Sequence, residues 1–297
     1  MTTCFGVTRN PLAPNVPNAL TSACQRLGVP FRTIELASLA TTISGELTVY
    51  DSDGIVSVDF ISPTLFYWQE QATVALDVLW GQGCRMLNTV AACLTADDKA
   101  ATAMALTKAG VAQVATTAVA SDFGRVKAAA QRYGYPVVIK RTRGGQGRWV
   151  RLAHDGTELE RATAELQEEG PGMILVQPVG AQRLGESLRV IVTAGVVHAA
   201  TVRHAVGPEW RSNISAGGTQ TPAELSAAEG DLALAAADAV GLGHAGVDLL
   251  RSAAGPVVLE VNSCPDFTSM TPYVKDDLAA IVIEQTLQLG ALWCGGS

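Results

Sequence analysis

Val257-Val258-Leu259-Glu260-Val261-Asn262 is a short, apolar, β-rich run with two polar side chains set into it. Successive strand side chains point to opposite faces, so Glu260 and Asn262 are expected on one face and Leu259 and Val261 on the other. Upstream lies a second run, Ala245-Gly246-Val247-Asp248-Leu249-Leu250, joined to the first by Arg251-Ser252-Ala253-Ala254-Gly255-Pro256. Two apolar runs around a Gly/Pro connection predict a β-hairpin. Pairing symmetric about Ala254 sets Asp248 opposite Glu260, with Asn262 one step along on the same face. Facing carboxylates repel, and burying them without a partner costs more. A divalent cation held between them removes the conflict. Two carboxylates and an amide oxygen suit a hard ion such as Mg²⁺, which also accepts phosphate oxygens. The plain alternative is an exposed hairpin with two scattered acids; three oxygen ligands in one hairpin weigh against it.

The chain has 297 residues, enough for roughly two domains of about 150 residues. A hydrophobic fraction of 48% and a mean hydropathy of +0.22 indicate a globular protein. The net charge of −7 offers no basic field for nucleic acid. No apolar run reaches the roughly 18 residues of a membrane span, and residues 1–10 lack the pattern of a secretory signal. The six cysteines form no C-x-x-C pair, which argues against zinc and a disulfide framework and fits a cytoplasmic location.

The first ninety residues alternate β-like and helical pieces, from Phe5-Gly6-Val7 to a helix over 70–80, and predict a small α/β domain. Phe66-Tyr67-Trp68 reads as packing rather than a ligand platform. Residues 88–98 read as a connection carrying capping residues, followed by a helix over 98–108. Tyr135-Pro136-Val137-Val138-Ile139-Lys140 is a strand ending in lysine. After it, Arg141-Thr142-Arg143-Gly144-Gly145-Gln146-Gly147-Arg148-Trp149 is rich in glycine and arginine. Such a loop lets backbone N–H groups approach an anion. It lacks the G-x-x-x-x-G-K-[ST] pattern and following helix of a P-loop, so it predicts a phosphate cover between two strands, with a plain mobile hairpin as the alternative. Pro178-Val179-Gly180 breaks the next strand as a hinge would. Strands over 187–193 and 195–202, a helix over 223–240, the hairpin and a helix over 276–289 complete the chain.

In this order and spacing the pieces resemble the ATP-grasp superfamily, and within it the RimK-type ligases. The matching residues are Asp98-Lys99; the strand to Lys140 with its glycine loop; Leu175-Val176-Gln177; Leu188-Arg189-Val190; Arg203; Arg211-Ser212-Asn213 with Gly217-Gly218; Ala245 to Asp248; and Leu259 to Asn262. The resemblance covers about residues 88–270. It implies an α/β (α+β) ATP-grasp fold: an N-terminal α/β domain over 1–93, a central subdomain over 94–178 and a C-terminal subdomain over 179–297.

The resemblance also implies roles. Lys99, Lys140 and the loop glycines Gly144, Gly145 and Gly147 would meet the phosphates of ATP. Gln177 and Val179 would hold adenine at the hinge. Asp248, Glu260 and Asn262 would bind two Mg²⁺ ions, with Mn²⁺ as a substitute. Arg189, Arg203 and Asn213 would contact phosphate or an acyl-phosphate. The implied activity is ATP-dependent amide formation between a carboxylate and an amine, with a carrier protein or precursor peptide as one form of substrate. Homo-oligomerisation is compatible with it. Asp266, the one charged residue just after the metal strand, is the candidate contact for the amine, against a turn-capping role. Two departures bear on substrate: Ala216 precedes Gly217-Gly218 where an arginine is expected, and Arg203-His204 replaces an Arg-Arg pair. A nucleotide-binding module without turnover and a phosphotransferase are the rival readings.

Overall fold

The computed structural model describes residues 4–9, 15–56, 60–64, 70–145, 147–179 and 184–291. The Phe66-Tyr67-Trp68 cluster lies outside them. Among the described residues helices and strands alternate as expected, in four sheets.

The first sheet is parallel, with strands Phe31–Glu35, Cys4–Arg9, Phe60–Ser62 and Arg85–Met86 side by side in that order. A small antiparallel sheet, Ala40–Thr42, Thr48–Asp51 and Gly54–Ile55, interrupts it in sequence and was not legible as strands. Helix Asn15–Leu27 follows the strand Cys4–Arg9. It packs against the last helix, Leu278–Ala291, in a cluster around Leu20, Cys24, Val282 and Ile283. The end of the chain therefore completes the core of its beginning.

The segment expected as a connection over 88–98 contains a helix, Val90–Asp97. Thr89 caps it by accepting from Ala92 N at 3.2 Å. Asp98, in extended backbone, ends this helix and caps the next, Lys99–Lys108, by accepting from Ala100 N and Ala101 N. Such a cap is worth about 1 kcal/mol. Here it also sets Lys99 at the first position of a helix.

The central sheet places Val150–Ala153, Val137–Arg141, Met173–Pro178 and Thr117–Ala120 antiparallel in that order. Val137 and Ile139 face an apolar cluster with Val126, Leu159, Leu166, Ile174 and Val176. The period of two then directs Val138 and Lys140 to the opposite face, where Gln177 is Val138's partner.

The last sheet orders Thr219–Pro222, Val196–His204, Glu186–Thr193, His244–Ser252 and Gly255–Asn262, all antiparallel. Thr219–Pro222 lies just before the helix expected over 223–240. That helix begins at Ala227, where Ser226 and Glu229 form a reciprocal capping box. Leu188, Val190, Val247, Leu249, Val258 and Val261 face the core under this helix. The other face presents Arg189, opposite Asp248, which in turn is opposite Glu260.

Asp248 does face Glu260, but by a different route from the symmetric hairpin. The turn is tighter: Ser252 pairs with Gly255 and Leu249 with Val258, and a β-bulge then restores the pairing of Asp248 with Glu260. The bulge inserts Leu259, so Val258 and Val261 share the core face and Leu259 turns to the cleft beside Glu260. The expected grouping of Leu259 with Val261 is thereby corrected.

Asn88 rivets the N-terminal part to this sheet. Its side chain donates to His244 O (2.9 Å) and Ser263 O (3.1 Å) and accepts from His244 N (2.8 Å), all buried.

Candidate active site

A cleft enclosing about 1100 Å³ runs between the central and last sheets. Lys99, Lys140, Gly144, Gly145, Gly147, Gln177, Val179, Arg203, Asn213, Asp248 and Glu260, scattered over 162 sequence positions, all line it. Arg189 and Asn262 contact Asp248 from behind the cleft wall. Val114, Val138, Leu184, Leu250 and Leu259 add an apolar slot at one end. Leu250 and Leu259 had no sequence signal, because strand periodicity assigns Leu259 to the core and only the bulge turns it out.

The two carboxylates are separately neutralised. Arg189 Nε donates to Asp248 Oδ1 at 2.5 Å and Nη2 to Oδ2 at 2.7 Å, a two-pronged, buried ion pair. Arg203 Nη1 lies 3.9 Å from Asp248 Oδ1, and Asn262 Nδ2 donates to Asp248 Oδ2 at 3.5 Å and to Gly246 O at 3.2 Å. Glu260 Oε1 meets Lys99 Nζ at 3.1 Å. Burial alone would push the Glu260 carboxyl up, but Lys99 and Lys140 outweigh it and hold the group below the usual carboxylate range. The mutual repulsion expected of bare facing carboxylates is therefore answered by protein cations. Arg189 is itself buried, with only 7% of the residue exposed.

Lys140 is 5% exposed, and burial pulls its ammonium down to about 8, with Glu260 working in the opposite direction. Burial, and then Arg189 beside it, bring the Arg203 guanidinium down to about 10, still charged at neutral pH. Arg203 Nε is buried with no hydrogen-bond partner among the described residues. An unsatisfied charged donor on a cleft wall is costly and is a ready contact for an anionic oxygen.

The glycine loop does join two paired strands, Val150 standing opposite Lys140. It is tied down at both ends. Lys99 donates through its backbone N to Thr142 O (2.8 Å) and through Nζ to Gly144 O (2.7 Å). Arg211 Nη1 donates to Gly147 O at 2.5 Å, while its remaining fork holds Glu209 through Nε (2.9 Å) and Nη2 (2.7 Å). These bonds to Arg211 hold the Glu209 carboxyl down at about 2. Gly147, at φ +71°, has no room for a side chain: a Cβ would approach Asn213 Oδ1 to 3.0 Å. This Glu209–Arg211 clasp was missed, since nothing in a Glu-Trp-Arg tripeptide announces a partner 64 residues away.

At the hinge, Gln177 Nε2 donates to Thr116 Oγ1 (2.8 Å) and Val179 N to Pro136 O (3.2 Å). Asp266 does not line this cleft. Its Oδ1 accepts from Thr268 N (3.1 Å) and Thr268 Oγ1 (2.5 Å), the turn-capping arrangement, while its charge still acts on Arg203. Cys264 is buried, and burial pushes its thiol up to about 12, as for a filler rather than a nucleophile.

Among the described residues no group of three or more His, Cys, Asp or Glu could hold a metal. The donor set here is instead two carboxylates and the Asn262 amide on adjoining strands. These hard oxygens suit Mg²⁺ once the Asn262 amide is turned to present Oδ1. No helix among them is long and apolar enough to cross a membrane.

Residues 96–286 match the profile of the RimK-like ATP-grasp domain. A stretch of 154 residues is 40% identical to a probable alpha-L-glutamate ligase of Pseudoalteromonas atlantica, covering 51% of this chain and 50% of that protein. The chain thus spans about half the length of the curated relatives it matches. Among solved structures, a RimK domain ATP-grasp protein from Sphaerobacter thermophilus superposes with a TM-score of 0.73 at 20% identity, over 95% of this chain and 99% of that one. The ATP-grasp ligase PsnB, in complex with a minimal precursor, superposes with a TM-score of 0.70 at 18% identity, over 96% and 100%.

Proposed function

This chain belongs to the RimK-like ATP-grasp family, and from that premise we propose that it is an ATP- and Mg²⁺-dependent carboxylate–amine ligase that works through an acyl-phosphate. The observation supporting this most directly is the meeting of Asp248 and Glu260 with Lys99, Lys140, Arg203 and the glycine loop in one cleft. In this reading the apolar slot takes the adenine, Gln177 and Val179 border it, and Lys99, Lys140 and the loop backbone meet the phosphates. Asp248, Glu260 and Asn262 hold Mg²⁺. When bound, the metal neutralises phosphate charge and orients the γ-phosphoryl group. As a division of labour we propose residues 1–93, 94–178 and 179–297, with helix Leu278–Ala291 returning to the first.

An oxygen of the substrate carboxylate attacks the γ-phosphorus, and the bond to ADP breaks. The amine nitrogen then attacks the acyl carbon, loses a proton, and phosphate leaves. Arg203, with its unsatisfied Nε, is placed to hold the charge that develops on the transferring group, beside Asn213. Catalysis here is positioning and charge neutralisation, so no Ser or Cys nucleophile is required.

The proposal is tested by ADP release across a panel of acids and amines, with the product identified by mass. Glutamate is the first amine to try, since the curated relatives are named glutamate ligases; a precursor peptide is the second substrate, on the pattern of PsnB. Replacement of the expected arginines by Ala216 and His204 favours a substrate with fewer acidic groups than glutamate. ATP binding without ADP release for any pair would support the non-catalytic module, and a phosphorylated end product the phosphotransferase.

The tethered glycine loop should respond to nucleotide. Cleavage by trypsin after Arg143 or Arg148 is expected to slow several-fold with an ATP analogue; unchanged cleavage would leave only a passive hairpin.

Asp266 separates the two half-reactions. If its charge fixes the amine, Asp266→Asn raises the KM for the amine roughly tenfold, leaves the KM for ATP unchanged and preserves acyl-phosphate trapped by hydroxylamine. An unaltered amine KM assigns Asp266 to the Thr268 turn alone.

A further inference from the structure

Arg189 spends two of its nitrogens on the two oxygens of Asp248, and the geometry around it is built for that task. The two residues are directly opposite on paired strands. Gly246, two residues before Asp248 and on the same face, leaves the guanidinium its path: a Cβ there would lie 3.0 Å from Arg189 Nη1 and 2.6 Å from Pro265 Cβ. Both partners are at least nine-tenths buried. An arginine fork on a carboxylate with this burial is a fixed neighbour rather than a mobile substrate contact.

The charge balance follows. Lys99, Lys140, Arg189 and Arg203 stand against Asp248, Glu260 and, acting on Arg203, Asp266, so the four cations outnumber these three carboxylates. Both Asp248 oxygens already accept hydrogen bonds, and Glu260 is engaged by Lys99. A bare divalent cation meets a repulsive field and occupied ligands. A triphosphate meets the opposite: it neutralises the surplus and draws Lys99 and Arg203 onto its own oxygens.

We propose that Arg189 is a positioning residue, the permanent counter-ion of Asp248, and that by it the cleft is made to accept a divalent metal only together with a nucleotide. The inference rests on the nucleotide-dependent reading above and concerns the order in which that site fills.

The probe is Mn²⁺, whose binding is read by electron paramagnetic resonance and by the melting temperature, with and without the non-hydrolysable analogue AMP-PNP. For the wild-type protein, Mn²⁺ alone should neither bind at sub-millimolar concentration nor shift melting, while AMP-PNP alone should shift it and render Mn²⁺ binding strong. Arg189→Met removes the fork from Asp248 and leaves it Arg203 and Asn262. It should melt lower than wild type, bind Mn²⁺ alone at least about tenfold more tightly, or 1.4 kcal/mol, and regain stability when Mn²⁺ is added. Arg189→Lys keeps the charge and should refuse Mn²⁺ alone as the wild type does. A purely structural arginine would give instability that Mn²⁺ does not repair.

The wild-type arm tests the order of filling even if Arg189→Met does not fold. Equal Mn²⁺ affinity with and without AMP-PNP overturns the inference while leaving the ligase reading intact, whereas absence of AMP-PNP binding under every condition overturns the ligase reading itself. If Arg189→Met folds and gains no response to Mn²⁺ alone, Arg189 does not set the order.

Discussion

Asp248→Ala is expected to abolish ATP turnover and to lower stability by about 3–5 kcal/mol, the cost of leaving a buried partner charge uncompensated. The partner is Arg189, 7% exposed and bonded to both Asp248 oxygens. For a chain of this size that loss moves the melting temperature down by roughly 5–8 °C. Glu260→Gln should behave differently. Glu260 is 27% exposed at its side chain, and Lys99 keeps a second acceptor in Gly144 O. Its stability cost should stay within about 1 kcal/mol, with turnover lost all the same. The sequence alone suggests the reverse, that removing either acid relieves repulsion and stabilises the protein. Measured melting curves and ADP release separate the two. Wild-type melting for Asp248→Ala would refute the buried ion pair, and normal turnover for Glu260→Gln would end the metal assignment.

Lys140→Met should stabilise the nucleotide-free protein while reducing ATP turnover by about a thousandfold or more. Burial brings the Lys140 ammonium from 10.5 down to about 8. Below about pH 8 both folded and unfolded chains carry the proton, and the folded one bears the full desolvation penalty. Between about pH 8 and 10.5 the unfolded chain holds the proton and the folded chain does not, so this group's contribution to stability rises with pH and the penalty is gone above that window. Replacing the ammonium by a thioether removes a penalty on the order of 3 kcal/mol at pH 7. The stability gap between variant and wild type should close by about pH 10.5. ATP affinity in the wild type should move the opposite way, falling above about pH 8 as the cleft loses the Lys140 charge. Calorimetry at pH 8 in buffers of different ionisation enthalpy should then show proton uptake on nucleotide binding. A variant that melts below wild type at pH 7 would show that Lys140 is held by compensating contacts.

The strands were readable because period-two alternation and a Gly-containing turn are local properties, whereas the facing of Asp248 with Glu260 was expected from a symmetric hairpin and is produced by a tighter turn and a bulge. The convergence of Lys99, Lys140 and the hairpin was legible only through family resemblance, since no local rule links positions 99 and 260. Three features stayed hidden. The helix Val90–Asp97 was hidden because Asp98 serves as the end of one helix and the cap of the next, a double duty that reads as a loop. The counter-ions of the two carboxylates were hidden because arginine and lysine are presumed solvated until a partner on another strand is known. The Glu209–Arg211 clasp was hidden because one of its contacts is a backbone carbonyl, which has no sequence signature.

The bulge at Leu259 has a meaning beyond the bend it makes. The pairs nearer the turn, Leu249 with Val258 and Leu250 with Val257, already run in a register that would bring Glu260 to Asp248 if Leu259 were absent. The facing of the two carboxylates therefore does not depend on the extra residue. What Leu259 supplies is one wall of the apolar slot. The hairpin is in effect a regular ladder with a single-residue graft: the ladder fixes the charges, the graft adds an apolar side chain to the cleft, and each can vary while the other holds still.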